Sequence, residues 1–267
     1  MKIAATCDIH YDLLNPLQKA SMQINFIDTL KKEKPDVLII AGDLIGLGWA
    51  DLGPCLEEFR DVAPHRFMVF GNHDYWSADK NSVKHLEVLE PHIRESGFHL
   101  LDKKPKKIGN IGFAGNCSWY DYSFAPDPLP PDSSYERKQY RGRVVWNDAR
   151  FIHMNKNDKQ YTDELLEKLE KDINILSSNT ETIIVVTHHV GFQEMIIHKK
   201  ENGPWNFCNA FMGSRRLGKM LMKYQKVRYH ICGHTHYPVN VKKDHLESIN
   251  PGSTYHEKRY VIINIPD

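Results

Sequence analysis

Short apolar runs alternate with helix-length amphipathic segments from the first residues onward, and that alternation confines the chain to an α/β architecture built on strand-helix-strand units. Lys2 to Thr6, Val37 to Ala41 and Arg66 to Phe70 read as strands, with Asn15 to Lys34 and Leu52 to Phe59 as the helices between them. The first helix is well punctuated. Asn15 is its N-cap, Pro16 its first residue, Ala20, Ile24, Ile27 and Leu30 its expected apolar face, and Pro35 lies beyond its end. Further on, the pattern predicts a helix over Asn81 to Ser96 interrupted near Pro91, and strands at Phe98 to Leu101 and Ile111 to Ala114, the latter entered through a Gly109-Asn110 turn. Another helix is expected from an N-cap at Thr162 to Ser177. Thr182 to Thr187 and Val227 to Cys232 read as buried strands, and Tyr237 to Val241, His245 to Ile249 and Tyr260 to Ile265 as a closing run of short ones. Sheet-rich ends with helices outside predict a layered sandwich.

Cys117 to Lys159 and Gly191 to Ser214 fit neither period. Stretches this long in compact domains are usually functional loops. With no repeat and no low-complexity tract, the expectation is one domain over 1–267, with 117–159 and 191–214 as lid or insertion segments.

The 267 residues are 41% hydrophobic and 26% charged, which excludes a disordered chain, a collagen and a coiled coil. Thirty-five basic against 34 acidic residues leave a formal charge of +1, too little to hold a nucleic-acid backbone by charge alone. Five widely spaced cysteines without a Cys-x-x-Cys predict reduced, mostly buried thiols rather than disulfides or a thiolate metal site. The opening MKIAATCDIH lacks the apolar core of a signal peptide and no apolar run has the length of a membrane span, so a cytoplasmic chain without membrane contact is expected. Nothing in the sequence signals an oligomeric state.

Fifteen histidines are the unusual number, and their placement carries the chemistry. Five times an apolar strand ends in a small or turn residue and is followed at once by a metal-competent side chain: Asp8, Asp43, Asn72, His188 and His234. In α/β sheets, ligands bind at the carboxyl ends of strands, so these groups converge on one crevice. His10 and His236 each lie two residues from a member of that set. Each occurrence alone reads more simply as a turn, a helix cap or a core histidine; their joint appearance at successive strand ends does not. Oxygen and imidazole donors without thiolate suit Mn, Fe, Zn or Ni. Seven donors exceed the needs of one ion, whereas two ions about 3.5 to 4 Å apart, bridged by a carboxylate, would use them all.

Asp8-Ile9-His10, Gly42-Asp43, Gly71-Asn72-His73-Asp74, Thr187-His188-His189 and Gly233-His234-Thr235-His236 resemble the motifs of the calcineurin-like metallophosphoesterase family. The resemblance covers most of the chain. It implies a four-layer αββα sandwich in which Asp8, His10, Asp43 and His236 hold one metal, and Asp43, Asn72, His188 and His234 the other, with Asp43 as bridge. It favours His188 as ligand over its neighbour His189, which is expected beside the substrate. The protein Ser/Thr phosphatases of the family continue the second motif with Asp-Arg-Gly and end the third in Glu. Here residues 44–48 read Leu-Ile-Gly-Leu-Gly and the third motif ends in Asp74, which argues against that branch.

The expected chemistry is hydrolysis of a phosphate ester, a phosphodiester rather than a monoester, by a hydroxide generated on the metals. His73 is the expected catalytic acid toward the leaving-group oxygen, and Asp74 either fixes its tautomer or caps the following turn. Trp119, Tyr120, Tyr122, Phe124, Tyr135, Tyr140 and Trp146, with Arg137, Arg141 and Arg143, read either as packing for the insertion or as a lid that stacks a nucleobase and pairs with phosphate. Arg215, Arg216 and Lys219 read as a solvated helix face before a phosphate clamp. A small-molecule phosphate ester is the favoured partner, with a nuclease acting on nucleic acid and an inactive binding scaffold on the same fold as alternatives.

Overall fold

A computed structural model describes residues 1–78, 81–126 and 128–266. Asp127, inside the expected insertion, and Asp267, at the end of the expected domain, lie outside the described residues. Lys2–Thr6 (β1), Val37–Ala41 (β2), His65–Val69 (β3) and His99–Leu100 (β4) run parallel as neighbours, and Tyr260–Asn264 (β13) closes the β1 edge antiparallel with Lys2 opposite Asn264. A second sheet is built around Ile111–Asn116 (β6), Thr182–Thr187 (β9), Val227–Ile231 (β10) and Leu246–Asn250 (β12), all parallel. Lys106–Ile108 (β5) and Val239–Lys243 (β11) pair antiparallel on its two edges.

Side chains alternate between the faces of a strand, which divides each apolar run between two cores. Ala5, Ile39, Phe67 and Val69 of the first sheet share one cluster with Phe113, Ile184, Val186 and Ile231 of the second, and the rings of Phe67 and Phe113 lie 4.7 Å apart. The alternate residues Ala4, Leu38 and Ile40, and Ala114, Ile183 and Val185, belong to the core beneath the helices. Burying each such valine or isoleucine contributes about 1.5–3 kcal/mol. The result is a mixed α/β fold whose parallel strands are flanked by helices, as the alternation predicts.

Several boundaries differ from the sequence reading. The first helical stretch is Pro16–Met22 (α1), a wide turn over Gln23–Ile27 and Asp28–Lys32 (α2), with Asn15 and Gln18 forming the capping box. The extra residue in the wide turn shifts the helical phase, so Met22, Phe26, Ile27 and Leu30 face the core while Ile24 is 65% exposed and Ala20 faces solvent. Leu52–Glu58 (α3) follows the reading closely. Ser82–Glu95 (α4) runs through Pro91 without interruption, because buried Leu89 and Ile93 anchor it on both sides of the proline. Asp148–Phe151 (α5) is a single turn that the pattern did not reveal. The next helix, Asp158–Ser177 (α6), starts before Thr162: Asn157 and Gln160 form its capping box, and Thr162 is buried with its hydroxyl donating to the Asp158 carbonyl.

In the insertion, Gln139–Tyr140 (β7) and Val144–Val145 (β8) form a small hairpin. Trp119, Tyr120 and Phe124 are buried in the main core, so packing accounts for these rings and they offer no open face to a base. Arg137, Arg141 and Arg143 are exposed. Arg216 pairs with Asp163 and Arg215 donates to the Ser123 carbonyl, as befits an exposed helix face. All five cysteines are free; Cys208 is half-buried and the others are buried. Among the described residues no helix is long and apolar enough to cross a membrane.

Candidate metal centre

The loops that leave the strands continue the pairing of the sheets. Past β1 and β2, the amides of Asp8, His10 and Tyr11 donate to the carbonyls of Gly42, Asp43 and Leu44 at 3.0, 2.9 and 2.8 Å. Across the gap between sheets, the Gly233 amide donates to the His188 carbonyl at 2.9 Å, and the His234 amide donates to the Asp8 carboxylate at 3.0 Å. The carboxyl ends of β1, β2, β3, β9 and β10 are thereby laced together.

All seven candidate ligands lie at this junction. Asp8, His10 and His236 form one group whose ligand atoms lie within 4.8 Å of one another, and Asp43, His188 and His234 form another. Asp43 Oδ2 stands 3.2 Å from His188 Nε2 and 3.6 Å from His10 Nε2, so one oxygen faces both groups. Asn72 Oδ1 is 3.1 Å from His188 Nε2 on the second side. Three imidazoles have one ring nitrogen tied to a backbone carbonyl: His188 Nδ1 donates to Ala41, His234 Nε2 to Phe211 and His236 Nδ1 to Ser253, at 2.8, 3.1 and 2.8 Å. The remaining nitrogen of each is left as a lone-pair donor toward the centre, the arrangement that orients histidine ligands.

Backbone strain concentrates here as well. Asp8, His10, Asp43, His234 and His236 all have left-handed backbones, with φ of 53°, 43°, 55°, 69° and 52°. Each such non-glycine residue costs on the order of 1–3 kcal/mol and persists only when its surroundings impose it. Gly71 permits the closest approach, since a Cβ there would meet Asp43 Oδ1 at 2.1 Å. Gly42, at φ 84°, leaves room for His188 Nδ1, which a Cβ would meet at 2.6 Å.

Burial and charge divide the histidines. Burial opposes protonation of His188, but Asp43 beside it and Asp8 beyond overcome that and raise it to about 9. The same burial opposes ionisation of Asp43, yet His188, His73 and His10 hold its carboxyl well below the usual range. Burial lowers His10 and His234 well below their ordinary value, and takes His189 to about 3 together with the charge of His188. His230, buried against Thr187 and Ser248, is pulled to about 3 by burial alone. The unfolded imidazoles of His189 and His230 take up protons below about 6.5 while the folded ones do not, so the stability they lend is present above that pH and is lost as the pH falls toward 3. Each is expected to cost the metal-free protein about 2 kcal/mol between pH 7 and pH 5. A urea midpoint that stayed level over that interval would contradict this.

The residues present fit metal ions. Both ring nitrogens of His10 and Asp43 Oδ2 are buried without a hydrogen bond, a loss of about 1–3 kcal/mol per group that a cation would relieve. The donor set is oxygen and imidazole throughout.

His73 is half-buried beside this set. Its amide donates to Asp43 Oδ1 at 2.9 Å, and its ring stacks on Trp76 at 3.7 Å and meets His10 edge-on at 4.5 Å. Asp74 neither fixes the His73 tautomer nor simply caps a turn. Its carboxylate accepts the amides of Gly71, Asp43, Leu44 and Ile45 at 2.8 to 3.2 Å and so fastens the second and third motif loops to each other. His189 is fully buried, with its ring on Trp119 and His234 and Nδ1 turned to the Cys117 carbonyl. That closed packing replaces the expected position beside the substrate.

Three residues that touch the candidate ligands escaped the sequence reading. Tyr255 packs on His10 and His236 at 4.8 and 4.9 Å, Lys258 donates to the Asp8 carbonyl, and Asp148 accepts from Asn72. None follows a strand or belongs to a spaced motif, so only the tertiary structure brings them in.

The family model for calcineurin-like phosphoesterases matches residues 1–238. One of the two proteins of the SbcCD nuclease of Staphylococcus saprophyticus is 32% identical over 125 residues, a match that covers 42% of this chain and 33% of that protein. The chain therefore matches only about a third of the length of this curated relative. Among solved structures, phosphopantetheinyl hydrolase from Mycobacterium tuberculosis superposes with a TM-score of 0.72 at 17% identity, covering 100% of this chain and 96% of the other. A dimetal phosphatase from Danio rerio gives 0.58 at 14% identity, covering 98% and 91%. The structural likenesses speak for the fold, and the family match spans every candidate ligand together with His73. The chain belongs to the calcineurin-like phosphoesterase family.

Proposed function

We propose that the protein is a dinuclear metal-dependent phosphoesterase that prefers phosphodiesters, with Asp8, His10, Asp43 and His236 holding one ion and Asp43, Asn72, His188 and His234 the other. The reading takes 1–267 as one catalytic unit. The observation that carries it is Asp43 Oδ2, buried without a hydrogen bond between two groups of imidazole and carboxylate donors. The ions, when bound, supply Lewis-acid charge to the phosphoryl oxygens and a nucleophile at neutral pH. Mn, Fe, Zn and Ni all suit these donors.

The chain's own residues do the rest. Asp43 and Asp8 bring the carboxylate charge, which leaves a pair of divalent ions net positive toward an anionic ester. The carbonyls of Ala41, Phe211 and Ser253 keep His188, His234 and His236 in the neutral tautomers that can ligate. His73, held by Trp76 and by its own amide bond to Asp43, delivers a proton to the leaving-group oxygen. Tyr255, Trp146 and Trp76 pack around the histidines of the centre, and this aromatic surrounding supports an ester with organic groups on both sides of phosphorus.

The test is a substrate panel with Mn-, Fe-, Ni- and Zn-loaded protein on bis-aryl phosphate, mono-aryl phosphate, cyclic nucleotides and nucleic acid. Faster turnover of the bis-aryl than of the mono-aryl ester is expected; the reverse order would refute the diester preference. Similarity to a nuclease component favours a second reading, action on DNA or RNA, against which the formal charge of +1 counts. Metal-dependent degradation of a nucleic acid at rates above those on the aryl diester would establish it.

A further inference from the structure

Asp148 lies in the long insertion, 76 positions along the chain from Asn72, and is almost completely buried. Its carboxylate gathers four donors. Oδ1 accepts from Asn72 Nδ2 at 2.9 Å and Trp76 Nε1 at 2.8 Å, and Oδ2 accepts from the Tyr120 hydroxyl at 2.9 Å and Trp146 Nε1 at 2.8 Å.

We propose that Asp148 is a positioning residue, holding the Asn72 side chain with its amide nitrogen turned away from the centre and its oxygen turned in. The proposal rests on the reading of Asn72 as a ligand. A side-chain amide is nearly symmetric in shape, and what decides its orientation is its hydrogen-bond partners. Opposite a carboxylate only the NH₂ end is accepted, so Oδ1 is left 3.1 Å from His188 Nε2, on the side of the candidate metal. The same oxygen of Asp148 also holds the indole of Trp76, the ring on which His73 stacks. One carboxylate from the insertion thus orients a ligand and braces the support of the expected acid.

Asp148→Asn keeps the size of the side chain but places an NH₂ group against donors on one side, so Asn72 loses its acceptor or turns its own NH₂ inward. Calorimetric titration of the metal-free protein with Mn²⁺ is expected to show one of two binding steps weakened about 10- to 100-fold, the loss usual when an outer partner of a ligand is removed. Tyr120→Phe removes a donor from the other oxygen and is expected to leave both steps unchanged. The exchanged pair Asn72→Asp with Asp148→Asn again sets an amide against a carboxylate and is expected to recover most of the lost affinity. A merely structural role predicts neither the selective loss nor the recovery.

Two unaltered steps in Asp148→Asn, whatever its melting temperature, would overturn the proposal while leaving the metal centre intact. Wild-type protein that takes up no Mn²⁺ would overturn the reading of the centre and this proposal with it. If Asp148→Asn does not fold, the wild-type protein carries the test by NMR. One Asn72 side-chain amide proton is expected to be protected from exchange with solvent both with and without metal, and free exchange of both protons would overturn the assignment.

Discussion

Asp43→Ala is expected to abolish both metal sites in one step and to lower turnover at least about 10⁴-fold, whichever phosphate ester is used. The expectation follows from one atom. Oδ2 of Asp43 is the ligand atom that faces both His10 and His188, and it makes no hydrogen bond of its own. Asn72→Ala, by contrast, removes a donor that faces only the His188 group and is expected to spare the site of Asp8, His10 and His236. The fold of the metal-free Asp43→Ala protein is expected to survive. The variant gives up the 2.9 Å bond from the His73 amide, but it also removes a buried carboxylate whose second oxygen was unsatisfied. Metal analysis beside circular dichroism separates the two effects: a folded variant that still carries both ions would remove Asp43 from the role of bridge.

The second large effect is expected at His73. His73→Ala should retain both ions and lose about 10²- to 10⁴-fold in kcat, the range over which a positioned acid contributes. The loss should depend on the leaving group. An aryl oxide of low basicity departs without much help, whereas an alkoxide needs its proton, so alkyl esters should suffer more than nitrophenyl esters. Equal losses on both would assign His73 to binding rather than proton transfer. The structure favours a residue poised for this work: its ring lies between Trp76 and His10, and its amide is fixed by Asp43.

The parts of this protein that were legible from sequence share a physical character. Apolar runs of period two and small residues at strand ends are local signals, so the strands and the seven candidate ligands lie where the pattern puts them. Asn15 capped the first helix as expected because a cap is made within a few residues of its own position. What was not legible depends on partners distant in sequence. The wide turn at Gln23–Ile27 rotated the apolar face away from Ile24, and burial of Leu89 and Ile93 carried α4 through Pro91. His189 reads as a neighbour of the substrate until Trp119 and His234 close over it. Asp74 has the short spacing of a partner for His73, yet its oxygens are occupied by the amides of two loops. Asp148 and Tyr255 reach the centre from segments with no periodic signal at all.

The strained loops and unsatisfied donors at the junction of the two sheets give the metal-free protein a reservoir that ion binding releases. The most direct measurement is therefore the metal content of the purified protein after stripping, reloading with Mn²⁺ and removal of excess ion. Two ions per chain in the wild type, neither of them retained by Asp43→Ala, is the result predicted. One ion per chain, or two that persist without the Asp43 carboxylate, would contradict the dinuclear centre.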